Sequence, residues 1–193
     1  MTVMTAQFVT IVSGLPRSGT SMMMQVLEAG GLPALTDGLR EADDDNPRGY
    51  YEFEAVKRTK EDASWLADAP GKVVKIIYRL LYDLPPDHDY RVVFMHRDLS
   101  EVLRSQAAML ERNGRPRGPA GDEQMQRLFR RELHDFQHWI RSQSNFALLE
   151  VSYNDVLQDP RPHLTAIDRF LGGGLNLESM LASIDRSLYR NRR

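Results

Sequence analysis

Short apolar runs alternate along the chain with longer stretches in which apolar residues recur every three or four positions. Phe8 to Ser13 (FVTIVS) is a continuous β-branched run ending at Gly14, the pattern of a strand covered on both faces. Val73 to Ile77 (VVKII), Arg91 to Met95 (RVVFM) and Phe146 to Val151 (FALLEV) repeat it, giving four predicted strands. Between them the period lengthens. Met22, Met23, Val26 and Leu27 predict a helix over 20–29, stopped by Gly30 and Gly31. A helix near 53–67 and another over 99–112 follow. Met125, Leu128, Phe129, Leu133, Phe136, Trp139 and Ile140 form the clearest stripe at 3.6 residues per turn. Pro160 opens a last helix that Gly172–Gly174 closes. Polar, Gly- and Pro-rich stretches at 33–50 and 113–121 predict loops; the second is the best candidate for a mobile one. The span 33–66 reads as a lid or acceptor segment.

Buried strands alternating with amphipathic helices predict a three-layer α/β/α domain around a central parallel sheet, formed by residues 1–193 as a single unit. In such sheets ligands bind beyond the carboxyl ends of the strands. Chemistry is therefore sought in Ser13–Ser21 and His96–Ser100.

Composition excludes several classes. At 193 residues the chain can bury roughly 70 % of its unfolded surface. It has no cysteine, so disulfides and thiolate chemistry are out. No apolar run reaches the ~18–20 residues of a membrane span. Met1–Gln7 has no basic stretch of the kind that opens a secretory signal, so a cytoplasmic protein is expected. The net charge of −2 disfavours nucleic acid as a partner. It conceals an asymmetry: residues 1–90 carry 9 basic and 14 acidic groups, residues 91–193 carry 16 and 13. Of 25 basic residues 21 are Arg, which reads first as the codon bias of a GC-rich genome.

The segment Gly14-Leu15-Pro16-Arg17-Ser18-Gly19-Thr20-Ser21 joins a predicted strand to a predicted helix. Its glycines permit a tight turn, and amides at a helix start favour an anion. Against G-x-x-x-x-G-K-[ST], both glycines and Ser21 fit, so the fold expected is of the P-loop nucleoside triphosphate hydrolase type. Thr20 replaces the lysine that reaches the β- and γ-phosphates, which disfavours an ordinary kinase or NTPase. Arg17 brings a cation into the loop instead.

Arg17-Ser18-Gly19-Thr20-Ser21 resembles the loop of the sulfotransferase family, whose donor is 3′-phosphoadenosine 5′-phosphosulfate (PAPS). The Pro-Arg-Ser-Gly-Thr form is most similar to the tyrosylprotein and small bacterial branches. A second similarity is Arg97 at a strand end with Ser105 eight positions on, in an R-D-x-x-E-V pattern. A third is Val151-Ser152-Tyr153-Asn154-Asp155-Val156-Leu157 with Asp159-Pro160 and Phe170-Leu171-Gly172, which reads as structural. The resemblance implies donor binding by Arg17, Ser18, Gly19, Thr20, Ser21, Arg97 and Ser105. Arg17 would contact the sulfonate; Arg97 and Ser105 would contact the 3′-phosphate. Lys75 resembles the lysine of the family's K-T-H triplet and is a further catalytic candidate. The triplet's histidine, a base in the cytosolic branch, falls here at Ile77. A glutamate serves instead in related branches, so Glu52 is the favoured base, with Glu41 and Glu54 as alternatives. In the C-terminal cluster Arg186, Arg190, Arg192 and Arg193, Arg190 is the candidate for closing over the donor.

The implied activity is sulfonate transfer from PAPS, without a metal, to a hydroxyl or amine of a small-molecule, lipid, glycan or peptide acceptor. A homodimer is possible on these grounds. A P-loop kinase and a non-catalytic nucleotide-binding module are the alternatives. His134 and His138 imitate a zinc-helix spacing, but both project to the water side of the apolar stripe and lack a third ligand.

Overall fold

The computed structural model describes residues 8–38, 49–115 and 121–185. Five strands form one sheet: β1 (Phe8–Gly14), β2 (Ala34–Leu35), β3 (Val73–Lys75), β4 (Asp89–His96) and β5 (Phe146–Ser152), in the order β2-β3-β1-β4-β5. Every pairing is parallel. The first strand thus lies in the middle, and the loop that follows it emerges at the centre of the carboxyl edge.

Alternate residues of the central strands feed two cores. Ile11, Val92 and Phe94 face Phe136 and Ile140 of α3 (Asp122–Ser142), Val102 of α2 (Leu99–Arg112) and the turns carrying Trp65 and Tyr78. Val12, Val93 and Met95 face Met23, Met24 and Leu27 of α1 (Thr20–Ala29) and Val156 of α4 (Tyr153–Gln158). The same face carries Leu164 and Ile167 of α5 (Pro160–Leu171) and Met180 of α6 (Leu177–Ser183). Strands buried on both faces explain their unbroken apolar runs.

The predicted α/β/α architecture is the one observed, with local differences. The helix predicted near 53–67 is two short 3-10 helices, Glu54–Arg58 and Ser64–Asp68. Local side-chain bonds divide it: Trp65 Nε1 donates to Thr59 Oγ1, and Asp62 accepts from Ser64 N. The predicted strand 73–77 ends at Lys75, and a 3-10 helix covers Tyr78–Asp83. Strand β2 lies inside a predicted loop. Helices α4 and α6 carry no periodic signal long enough to announce them. Most of 33–50 beyond residue 38, and 116–120 of the loop 113–121, lie outside the described residues. Among the described residues no helix is long and apolar enough to cross a membrane.

Candidate active site

The loop after β1 is built by backbone constraint. Gly14 has φ +150°; a Cβ there would sit 2.5 Å from Ser18 Oγ and 2.7 Å from the Met95 carbonyl oxygen. Gly19 has φ +97°, and its Cβ would lie 2.3 Å from the Tyr153 ring. Between them the Ser18 amide donates to Leu15 O at 3.1 Å, and the Met23 amide donates to Gly19 O at 3.1 Å as α1 begins. The loop is thus folded tightly onto the ends of β4 and β5. Arg17 occupies the left-handed region at φ +74°, unusual for a residue with a side chain. Thr20 and Ser21 open α1, both half-buried.

Two bonds tie this loop to the corner between β4 and α2. Arg17 Nε donates to Ser105 Oγ at 2.9 Å. In the other direction, Arg97 Nη1 donates to the Arg17 carbonyl at 3.1 Å. Arg97 directly follows β4 and is itself held by Glu101, whose Oε2 accepts from Nε at 3.0 Å. The Arg97 guanidinium lies 4.6 Å from the Tyr153 ring centroid. The Arg97 and Glu101 side chains are only 7 % and 1 % exposed. Asn154 Nδ2 donates to both Glu101 oxygens at 3.3 Å. Gln106 Nε2 donates to Pro16 O at 3.2 Å, adding a further bridge from α2 to the loop. The structure therefore gathers Arg17, Ser18, Gly19, Thr20, Ser21, Arg97 and Ser105 at one place.

Lys75 ends β3, and its Nζ donates to the Tyr50 carbonyl. The chain continues beside β1, with the Ile76 amide on Val12 O at 3.0 Å, so Ile77 follows at the loop's flank, 42 % exposed. Tyr50–Glu52 arches over the carboxyl ends of β2 and β3. Tyr51 is left-handed at φ +53°, and its hydroxyl donates to Glu28 Oε2 at 2.7 Å. The Glu52 carbonyl accepts from Thr36 Oγ1 at 2.8 Å, and its side chain is half-buried. Glu54 instead pairs with Lys57 at 2.6 Å in an exposed contact, and that bond holds the Lys57 ammonium above its ordinary pKa. Glu41 and Arg190 lie outside the described residues.

His96 stands at the end of β4 with Nε2 3.7 Å from Glu150 Oε1. Burial lowers its pKa, outweighing the attraction of Glu150. His134 is 82 % exposed, and no cluster of metal-ligating side chains occurs among the described residues.

Glu101, Tyr153 and Asn154 take part in the site although sequence reading treats them as helix pattern or scaffold. The available signal was topological: Tyr153 and Asn154 follow β5, whose carboxyl end lies beside that of β4.

The family profile described as "Sulfotransferase family" matches residues 49–176. The chain belongs to that family. A sulfotransferase domain from the curacin biosynthetic pathway superposes with a TM-score of 0.54 at 15 % identity, covering 92 % of this chain and 78 % of that one. A sulfotransferase from Mycobacterium tuberculosis gives 0.57 at 19 %, covering 92 % and 70 %. Retinol dehydratase, solved with androsterone and the inactive cofactor PAP, gives 0.51 at 19 %; the match covers 90 % of this sulfotransferase-family chain but 62 % of the dehydratase. At these identities the likeness is one of fold. No curated protein sequence matches the chain.

Proposed function

We propose that this member of the sulfotransferase family moves a sulfonate from PAPS to a hydroxyl or amine. The observation carrying the reading is the convergence of Arg17, Arg97 and two buried hydroxyls, Ser18 and Ser105, on a glycine-hinged loop at a helix start. The site also fits a polyanion on a separate ground. Ser18 Oγ and Ser13 Oγ are buried at the loop and make no hydrogen bond, a cost that a ligand oxygen would relieve. Arg17, Ser18, Gly19, Thr20 and Ser21 would hold the 5′-phosphosulfate, and Arg97 with Ser105 the 3′-phosphate. PAPS supplies an activated sulfonate whose leaving group is adenosine 3′,5′-bisphosphate.

The chain's own contribution is positioning and charge. The Arg17 guanidinium and the amides at the start of α1 stabilise negative charge on the leaving side. Lys75, fixed by the Tyr50 carbonyl, holds a second cation at the end of β3. Glu52 takes the acceptor's proton. Ile77 occupies the neighbouring position and has no titratable group. Thr20, in place of a P-loop lysine, argues against the kinase reading. The chain acts as one domain and takes its acceptor from the 33–66 side.

Thermal melting with adenosine 3′,5′-bisphosphate and with ATP–Mg²⁺ tests the donor. At 100 Kd the bisphosphate should stabilise the fold by about 2.7 kcal/mol; stabilisation by ATP–Mg²⁺ alone would sink the proposal. Glu52→Gln should lower turnover by about 10²–10⁴-fold with donor affinity retained. Normal turnover in that variant would assign the base elsewhere, and transfer to no acceptor by the native chain would favour a non-catalytic binding module.

A further inference from the structure

We infer that Glu101, steadied by Asn154, is the positioning residue that aims Arg97 and locks the left-handed Arg17. The inference rests on the reading of this site as donor-binding. Glu101 is a carboxylate at 1 % exposure in the first turn of α2. Burying such a pair yields little net stability, because desolvation offsets the attraction. Its effect is orientational. A guanidinium is a rigid planar fork, and here at least two of its nitrogens and one face are engaged. Glu101 holds Nε, the Arg17 carbonyl holds Nη1, and the Tyr153 ring lies beside the plane. These constraints together restrict the fork's rotation.

Glu101 can serve this way only if its own carboxylate is fixed. Asn154, 53 positions away in sequence, donates to both oxygens from the start of α4. The chain of contacts then runs Asn154, Glu101, Arg97, Arg17 carbonyl, and so joins the ends of β5, β4 and β1. Its last link matters because Arg17 at φ +74° is a conformation that surroundings must enforce. Arg97 and Ser105 each supply an enforcing bond. Loss of Glu101 should therefore disturb both the 3′-phosphate contact and the loop.

The test compares dissociation constants of adenosine 3′,5′-bisphosphate and adenosine 5′-monophosphate, measured by calorimetry on the full chain. The ratio of the monophosphate constant to the bisphosphate constant reads the 3′-phosphate contact and is insensitive to a loss of overall stability. Glu101→Gln, which keeps the side chain's shape, should cut the ratio by about tenfold or more, the loss expected when a charged hydrogen bond is misaimed. Arg97→Gln should cut it similarly, and the double variant should lose no more than Arg97→Gln, since Glu101 acts through Arg97. An unchanged ratio in Glu101→Gln, or additive losses in the double variant, overturns the inference while leaving the donor site intact. Should Glu101→Gln fail to fold, Asn154→Ala gives the reading: its ratio should also fall, and a native ratio there overturns the inference. A native chain that does not distinguish the two nucleotides overturns both this inference and the donor assignment.

Discussion

Gly14 has no room for a methyl group. A Cβ would press on a backbone carbonyl of β4 at 2.7 Å, which cannot swing aside, and on Ser18 Oγ at 2.5 Å. The φ of +150° adds strain of about 1–3 kcal/mol for any L side chain. Gly14→Ala should therefore lower the melting temperature and weaken adenosine 3′,5′-bisphosphate binding together, because the displaced atoms belong to the loop. Wild-type affinity in a destabilised Gly14→Ala chain would show that the loop relaxes independently of β4. At this scale the sequence was informative: Gly14, Arg17 and Gly19 are legible from a strand–glycine–helix pattern. Glu101 and Asn154 were not, because neither local spacing nor periodicity reports a contact across 53 positions. Lys75 was half legible. Its place in a strand is readable, but its bond to the backbone carbonyl of Tyr50, 25 positions away, is not.

Among the elements, α2 connects the two sides of the site, and its start is well specified. Asp98 is its N-cap, accepting from the Ser100 and Glu101 amides. Asp98→Ala should cost about 0.5–2 kcal/mol in urea unfolding and, by fraying the turn that carries Glu101, should also weaken nucleotide binding. A stability loss with binding untouched would mean that Glu101 is held by the core without the cap. The elements that sequence pattern missed each have a physical cause. Strand β2 is two residues long, too short for alternation to register. The 53–67 stretch has helix-compatible residues, but Asp62 accepting from Ser64 N and Trp65 Nε1 reaching back to Thr59 Oγ1 are local bonds that a continuous helix would break. The long stripe of α3 is legible, yet its burial is uneven: Phe136 and Ile140 are buried, Phe129 and Leu133 pack partly buried against the core, and Leu128 is 45 % exposed.

For the whole molecule, His96 couples stability to pH. Burial lowers its folded pKa below 6.5, so the unfolded chain binds the proton more readily. The contribution is complete above about pH 6.5 and is lost as pH falls below it. His96→Gln should flatten the decline in stability between about pH 7 and 5 relative to the native chain. Parallel curves for the two proteins would show that carboxylates alone set the slope. The sheet order has a different consequence, one of timing. The central strand β1 pairs with β3 and β4, and Phe8 aligns with Asp89, 81 positions later. At roughly 5–20 residues per second of synthesis, β1 waits about 4–16 s for its longer partner. During that interval its unbroken apolar run, FVTIVS, lacks the strand that will cover one of its edges. The strand that carries the site's loop is thus the one a growing chain must keep from aggregating, and nascent-chain chaperones would find their target there.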